Sequence, residues 1–187
     1  MRFTRDEIGE VVRRLAGELS ADHPSDLVLV GVLNGSVPFL ADLVRELEVV
    51  PTVDFLAISP YRRGTGRVRL LMDLRTDIRG RAVVLVDDVV DTGLTFAFLL
   101  QELAVREPTS LEVCTLFDKA ARRIAPVPIR YRGFIVADEY LVGYGLDHEG
   151  RYRNAPDVVA VPRARLAAEP DAAVDLLYPR ANSSMWR

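Results

Sequence analysis

Residues 83–95, Val-Val-Leu-Val-Asp-Asp-Val-Val-Asp-Thr-Gly-Leu-Thr, constrain this chain more than any other stretch. Val83, Val84, Leu85 and Val86 make an uninterrupted apolar run, which suits a strand buried on both faces. Asp87 and Asp88 follow, so two carboxylates are expected where that strand ends, the place where open parallel sheets bind ligands. Gly93 then frees a turn, and Phe96 to Leu103 are rich in helix formers. A helix starting there points its unpaired N–H groups and positive dipole end at whatever occupies the turn, which favours an anion. Carboxylates match the hydroxyls of a sugar and a small-residue turn matches a phosphate, so the whole run points to a phosphosugar. Asp-Asp alone would be equally compatible with a solvated, helix-capping turn.

The remaining segments supply a sheet for that strand. Thr4 with Glu7 fits a capping box, and Ile8, Val11, Val12, Leu15 and Leu19 recur at helical spacing, predicting a packing helix broken by His23, Pro24 and Ser25. Leu27 to Leu33 read as a buried strand that leads through Asn34-Gly35-Ser36 into a helix from about Pro38 to Leu47. Thr52 to Ser59, Val68 to Leu71, Leu111 to Phe117 and Asp157 to Val161 read as further strands. This alternation predicts an α/β domain with a parallel sheet. Between two of the strands, Pro60 to Arg67 have the composition of a mobile loop, although arginines at 62, 63, 67 and 69 would also solvate a plain hairpin.

Composition excludes several classes. With 187 residues, 49% hydrophobic and 27% charged, the chain suits a single well-buried domain. A net charge of -3 supplies no overall attraction to nucleic acid or anionic membrane. No apolar run approaches the ~20 residues of a membrane span, and a cytoplasmic protein is expected. Cys114, the single cysteine, reads as a small core residue, and His23 and His148 lack ligand spacing, which argues against zinc. No Walker-type or dinucleotide-type glycine motif competes for phosphate.

The 83–95 run resembles the phosphoribosyl-diphosphate (PRPP) motif of type I phosphoribosyltransferases, and its Asp-Thr-Gly-Leu-Thr ending is most similar to the hypoxanthine-guanine branch. Two other stretches share the resemblance: Gly31 to Leu43, similar to the family's first loop, and Tyr131 to Asp147, similar to its base-binding hood and following strand. The likeness spans roughly residues 4 to 162 and implies a type I phosphoribosyltransferase fold, a central mostly parallel sheet flanked by helices with a small hood. It implies a domain over residues 1–162, its hood built from the N-terminal segment and about residues 120–162, followed by an extension, 163–187, of unassigned role.

By that resemblance Asp87 and Asp88 hold the ribose of PRPP, while Asp91, Thr92, Gly93, Leu94 and Thr95 wrap its 5'-phosphate. Asp91 would also handle the N7 proton of the base as general acid/base. Asn34 and Gly35, in a loop with a non-proline cis peptide, and Arg153 would meet the diphosphate, and Ser59, Pro60 and Tyr61 would belong to a flexible loop that closes over the substrates. For the purine, Lys119 would donate to O6, Tyr131 would stack on the ring, and Arg132 and Asp138 would meet its edge. Because an ammonium can only donate, Lys119 favours a 6-oxopurine over adenine. Mg2+ is the implied cofactor, near Asp87, Asp88 and Asp138, and the implied assembly is a homo-dimer or homo-tetramer. The implied activity is purine salvage, transfer of 5-phosphoribosyl from PRPP to hypoxanthine or guanine.

Departures from the family pattern keep two other readings open. Asp87 stands where the branch usually has Glu, Asn34 where it often has Lys or Arg, and Pro60, Arg62 and Arg132 are also unusual. Asn34, Pro60 and Arg132 motivate an enzyme for another acceptor, such as xanthine or a nonstandard base; the second reading, from a different class, is a non-catalytic sensor of PRPP or nucleotide that binds RNA or DNA through Arg62 to Arg69. The acidic balance, together with Asp91, Lys119 and Arg153, argues against the sensor.

Overall fold

Apolar strands without polar alternation must be covered on both faces, and helices do this here. The structure, a computed structural model, describes residues 1–59 and 69–178. In chain order the main elements are β1 (Arg2–Phe3), α1 (Arg5–Asp22), β2 (Leu27–Leu33), α2 (Val37–Glu46), β3 (Thr52–Ile58), β4 (Leu70–Met72), β5 (Ala82–Val90), α3 (Leu94–Ala104) and β6 (Ser110–Asp118). A turn of 3-10 helix (Ala120–Arg122), β7 (Ile129–Ile135), β8 (Leu141–Val142), β9 (Val158–Ala160), α4 (Arg163–Ala168) and α5 (Val174–Leu177) complete the order.

Six strands form the main sheet in the order β4-β3-β2-β5-β6-β7, parallel throughout except for β4. Successive residues of a strand face opposite sides, and both sides are apolar. Leu27, Leu29, Val84 and Val86 pack under α1 and α2, whereas Val28, Val30, Val83 and Leu85 pack under α3. Each of these strand side chains is essentially buried, a contribution of roughly 1.5–3 kcal/mol apiece. Thr4 starts α1 with the capping box expected of it, accepting from the Glu7 N–H at 3.3 Å while Glu7 accepts from the Thr4 N–H at 2.8 Å. Asp54 of β3 pins the approach to β5, because its carboxylate accepts the N–H groups of Phe55, Arg75 and Thr76, each at 2.8 Å.

The order of strands places the site. The chain steps from β2 outward to β3 and β4, then returns to place β5 on the other side of β2, so strand order reverses between β2 and β5. A crevice opens beyond the carboxyl ends at such a point. The loops bordering it are Asn34–Ser36, after β2, and Asp91–Gly93, after β5. A second sheet of β1, β9 and β8 lies over this edge. The 163–178 segment packs against that sheet, with Leu166, Ala173 and Leu177 buried among Val142, Val159 and Val161.

One boundary differs from the sequence expectation. β5 continues to Val90, so Asp87 and Asp88 lie within the strand. Pairing with β2 stops at Val86, but β6 continues alongside and pairs Asp87 with Thr115 and Val90 with Asp118. The carboxylates therefore emerge where β5 has lost one neighbour and kept the other. Val68, expected to open β4, and the residues Pro60 to Arg67 lie outside the described residues.

Candidate active site

A cleft of about 1210 Å³ opens over the carboxyl ends of β2 and β5. Among the residues that line it are Asn34, Gly35, Asp87, Asp88, Asp91, Thr95, Lys119, Asp138 and Arg153, so separate parts of the chain converge as their sequence motifs lead one to expect.

Asp87 and Asp88, adjacent near the end of β5, both line the cleft with carboxylates close enough to influence each other. Burial pushes both carboxyls above the usual range, and the negative charge of Asp88 raises Asp87 further. Asp88 fits against Gly35 with no room to spare: a Cβ at position 35 would lie 2.0 Å from its Oδ2. Gly145 seals the loop from behind, since a Cβ there would lie 2.0 Å from the Gly35 carbonyl oxygen. The peptide bond between Leu33 and Asn34 is cis. Arg153 completes this half of the cleft. Its guanidinium donates to the Gly145 carbonyl at 2.5 Å, lies 2.7 Å from Asp147 and favours the ionised form of Asp88.

The turn after β5 is held by the segment that follows β6. Gly93 adopts φ +83°, which glycine alone takes without strain, and Thr92 accepts the N–H groups of Ile124 and Ala125 at 2.8 and 3.0 Å. Beyond Gly93, α3 begins at Leu94 with its first N–H groups facing the turn. Lys119 sits next to this turn because its own N–H bonds to the Val90 carbonyl at 3.0 Å. Burial lowers its ammonium below the usual lysine range against the opposing pull of Asp91, Asp138 and Glu139. Between these acids runs Arg122, with Nε 2.6 Å from Asp91 Oδ1 and a second nitrogen 2.7 Å from Asp138 Oδ1. Arg122 thus forms an ion pair with Asp91.

Two expected base contacts lie elsewhere. Tyr131 does not line the cleft: it points to the α1 side of the sheet, is 1% exposed, and its hydroxyl meets His23 Nε2 at 2.9 Å and Asp22 at 3.0 Å. Arg132 serves the sheet as well, its Nε 2.8 Å from the buried carboxylate of Asp118 and its carbonyl accepting from Arg14 at 2.8 Å. Strand alternation explains both, because β7 lies beside β6 with Tyr131 opposite Cys114 in the core beneath α1. Of the loop expected at 59–61, Ser59 is described and is bonded through its N–H to the Arg69 carbonyl at 2.9 Å, while Pro60 and Tyr61 lie outside the described residues. Asp138, expected near a metal, has its carboxylate engaged by Arg122.

Arg122, Glu139, Tyr140, Leu141 and Asp147 also line the cleft, without a role assigned to them from sequence. Tyr140 offers the flat surface expected of Tyr131. Its hydroxyl donates to the Asp147 carbonyl at 3.0 Å, and the Arg163 guanidinium lies 5.7 Å from its ring centre. The available signal was the run Glu139-Tyr140-Leu141, an aromatic placed between the Asp138 turn and the glycine-rich 143–145 segment.

The fold and this cleft define a phosphosugar-handling transferase, and a model of the phosphoribosyl transferase domain matches residues 4–149. The chain belongs to the phosphoribosyltransferase family, in its hypoxanthine-guanine branch. It is 46% identical over 152 residues to the hypoxanthine phosphoribosyltransferase of Escherichia coli K12, covering 80% of this chain and 85% of that protein. The hypoxanthine-guanine phosphoribosyltransferase of Mycobacterium tuberculosis is 46% identical over 151 residues, 79% of this chain and 75% of that one. Among solved structures, a hypoxanthine-guanine phosphoribosyltransferase from Bacillus anthracis superposes with a TM-score of 0.82 at 37% identity, over 86% of this chain and 96% of that chain. A hypoxanthine phosphoribosyltransferase from Staphylococcus aureus gives 0.83 at 34% identity, over 87% and 90%.

Proposed function

We propose that this enzyme transfers the 5-phosphoribosyl group of PRPP to N9 of hypoxanthine or guanine, forming IMP or GMP and releasing diphosphate. The observation that carries this reading is one cleft that joins the Asp87/Asp88 pair and the Asp91–Thr95 turn to a buried lysine, Lys119. The relatives' names and the family to which the chain belongs support it.

Asp87 and Asp88 steady the ribose hydroxyls, and the backbone N–H groups at the start of α3 receive the 5'-phosphate. Asn34 and Gly35 present backbone to the diphosphate, with Arg153 as its cationic partner. Two buried carboxyls that repel each other fit a hard, oxygen-loving cation, and Mg2+ held by Asp87 and Asp88 would neutralise charge on the departing diphosphate. Asp91 takes the N7 proton of the base, Lys119 donates to O6, and Tyr140 rather than Tyr131 supplies the ring on which the purine stacks. In this reading the backbone at Asp138 meets the base edge. Residues 1–162 form the working domain in this reading, and the enzyme acts in the cytoplasm as a homo-dimer or homo-tetramer.

The test is to mix the purified protein with PRPP and Mg2+ and, separately, hypoxanthine, guanine, xanthine and adenine, measuring diphosphate release beside nucleotide formation. Turnover with the first two and none with adenine is expected. Turnover on xanthine alone would assign another acceptor, and PRPP binding without turnover on any base would overturn the enzymatic reading.

A further inference from the structure

The segment after β9 lies beyond residue 149, where the family model ends, yet it reaches the cleft. Arg163, the first residue of α4, lines the cleft together with Tyr140. Backbone pairing sets that neighbourhood: Ala160 of β9 pairs with Leu141, and the Val161 N–H donates to the Tyr140 carbonyl at 2.9 Å. Two residues further on, the Arg163 guanidinium lies over the Tyr140 ring, 5.7 Å from its centre. The other two arginines of the cleft are committed to acids, Arg122 to Asp91 and Asp138 and Arg153 to Asp147. Arg163 has no carboxylate partner among the described residues, and the negative face of the ring is what attracts its charge.

The same segment also backs the ring. Leu166 is fully buried, and with Ala173 and Leu177 it belongs to the apolar cluster of Val142, Val159 and Val161 against which Tyr140 packs. The rim of the ring is fixed as well: its hydroxyl donates to the Asp147 carbonyl at 3.0 Å, and the His148 ring meets it edge-on with centres 5.8 Å apart. Burial raises the Tyr140 hydroxyl above its usual range while the Arg163 charge pulls it down, so guanidinium and phenol share one environment. A ring held in place before its ligand arrives loses less freedom on binding, and that gain falls on affinity.

We propose that Arg163 is a positioning residue for the base: resting on the Tyr140 ring, it holds that ring in the orientation on which the purine stacks, and so makes the 163–178 segment part of the base site. The inference rests on the stacking role given to Tyr140 above. It adds to the 1–162 domain a segment that lies outside it.

The experiment measures kcat, KM for hypoxanthine and guanine, and calorimetric Kd values for IMP and for PRPP with Mg2+. The proteins compared are wild type, Arg163→Met, Arg163→Lys, Tyr140→Leu and the double variant Arg163→Met/Tyr140→Leu. Loss of an exposed cation–π contact predicts a base KM and an IMP Kd raised roughly two- to fivefold in Arg163→Met, with kcat and the PRPP Kd at their wild-type values. Arg163→Lys keeps a cation on the ring and should restore most of the loss. In the Tyr140→Leu background Arg163→Met should add nothing, because the ring through which Arg163 acts is gone. Wild-type base affinity in Arg163→Met, no rescue by lysine, or the same loss with and without the Tyr140 ring would overturn the assignment while leaving the stacking and salvage readings intact. An unchanged KM and IMP Kd in Tyr140→Leu would instead overturn the stacking reading, and the inference with it. The predicted pattern in IMP binding alone, in a protein without turnover, would uphold Arg163 and overturn the catalytic reading.

Discussion

Gly35→Ala is the substitution whose effect the structure sets most tightly. Gly35 does not lie in the left-handed region, so alanine meets no backbone penalty and the whole effect is steric. The new Cβ would lie 2.0 Å from Asp88 Oδ2 and 2.7 Å from its Cγ, whereas ordinary contact begins at 3.4 Å. The loop cannot retreat, because Gly145 closes on the Gly35 carbonyl from the other side. Asp88 therefore has to turn away, at a cost of about 1–3 kcal/mol for overpacking a filled site. If that cost falls on ligand binding, the Kd for PRPP rises roughly 5- to 150-fold. Calorimetric titration of PRPP with Mg2+ into wild type and variant measures it, with thermal melting alongside. Gly17→Ala is the control: nothing lies within 4 Å of its Cβ, and in the middle of α1 the change should stabilise by about 0.5–1 kcal/mol. A Gly35→Ala protein with wild-type PRPP affinity would refute the reasoning, since Asp88 could then move freely or would not hold PRPP.

Asp91→Asn should lower kcat by roughly 10²- to 10⁴-fold with little change in PRPP affinity, and equal loss of both in a titration beside the kinetic assay would count against a proton-transfer role. Tyr131→Phe removes the hydroxyl that meets His23 and Asp22, so chemical denaturation should show a loss of about 1–2 kcal/mol while KM for the base stays at its wild-type value; a raised KM would return Tyr131 to the site. For Asp54, burial raises the carboxyl, but the N–H groups of Thr76, Phe55 and Arg75 outweigh it and hold the group below the usual range. A lowered folded pKa stabilises above the unfolded pKa of about 4 and ceases to do so as pH falls through the folded value. Asp54→Asn should thus destabilise markedly at pH 7 and much less at pH 3, and urea melts giving the same difference at both would refute the account.

Features confined to short stretches of chain are legible in the sequence itself. The capping box at Thr4 and Glu7, the doubly buried β2 and β5, and the run from Asp87 to Thr95 each bring their chemistry together within a few residues, where backbone geometry alone fixes the spacing. The phosphosugar half of the cleft is of this kind. So is the placement of Lys119, which follows directly from the end of β6.

Apart from Lys119, tertiary structure decided the base half. Whether an aromatic on β7 faces the cleft or the core depends on pairing and on which helix covers that side, and the pairing of Tyr131 with Cys114 under α1 sent it to the core. The length of β5 was likewise set by a neighbour, because β6 kept pairing after β2 had stopped. Arg122, which joins Asp91 to Asp138, and the seal of Gly145 over Gly35 connect residues far apart in sequence. Such contacts leave no local period or spacing to read, since the segments that make them are brought together only by the order of strands in the folded chain.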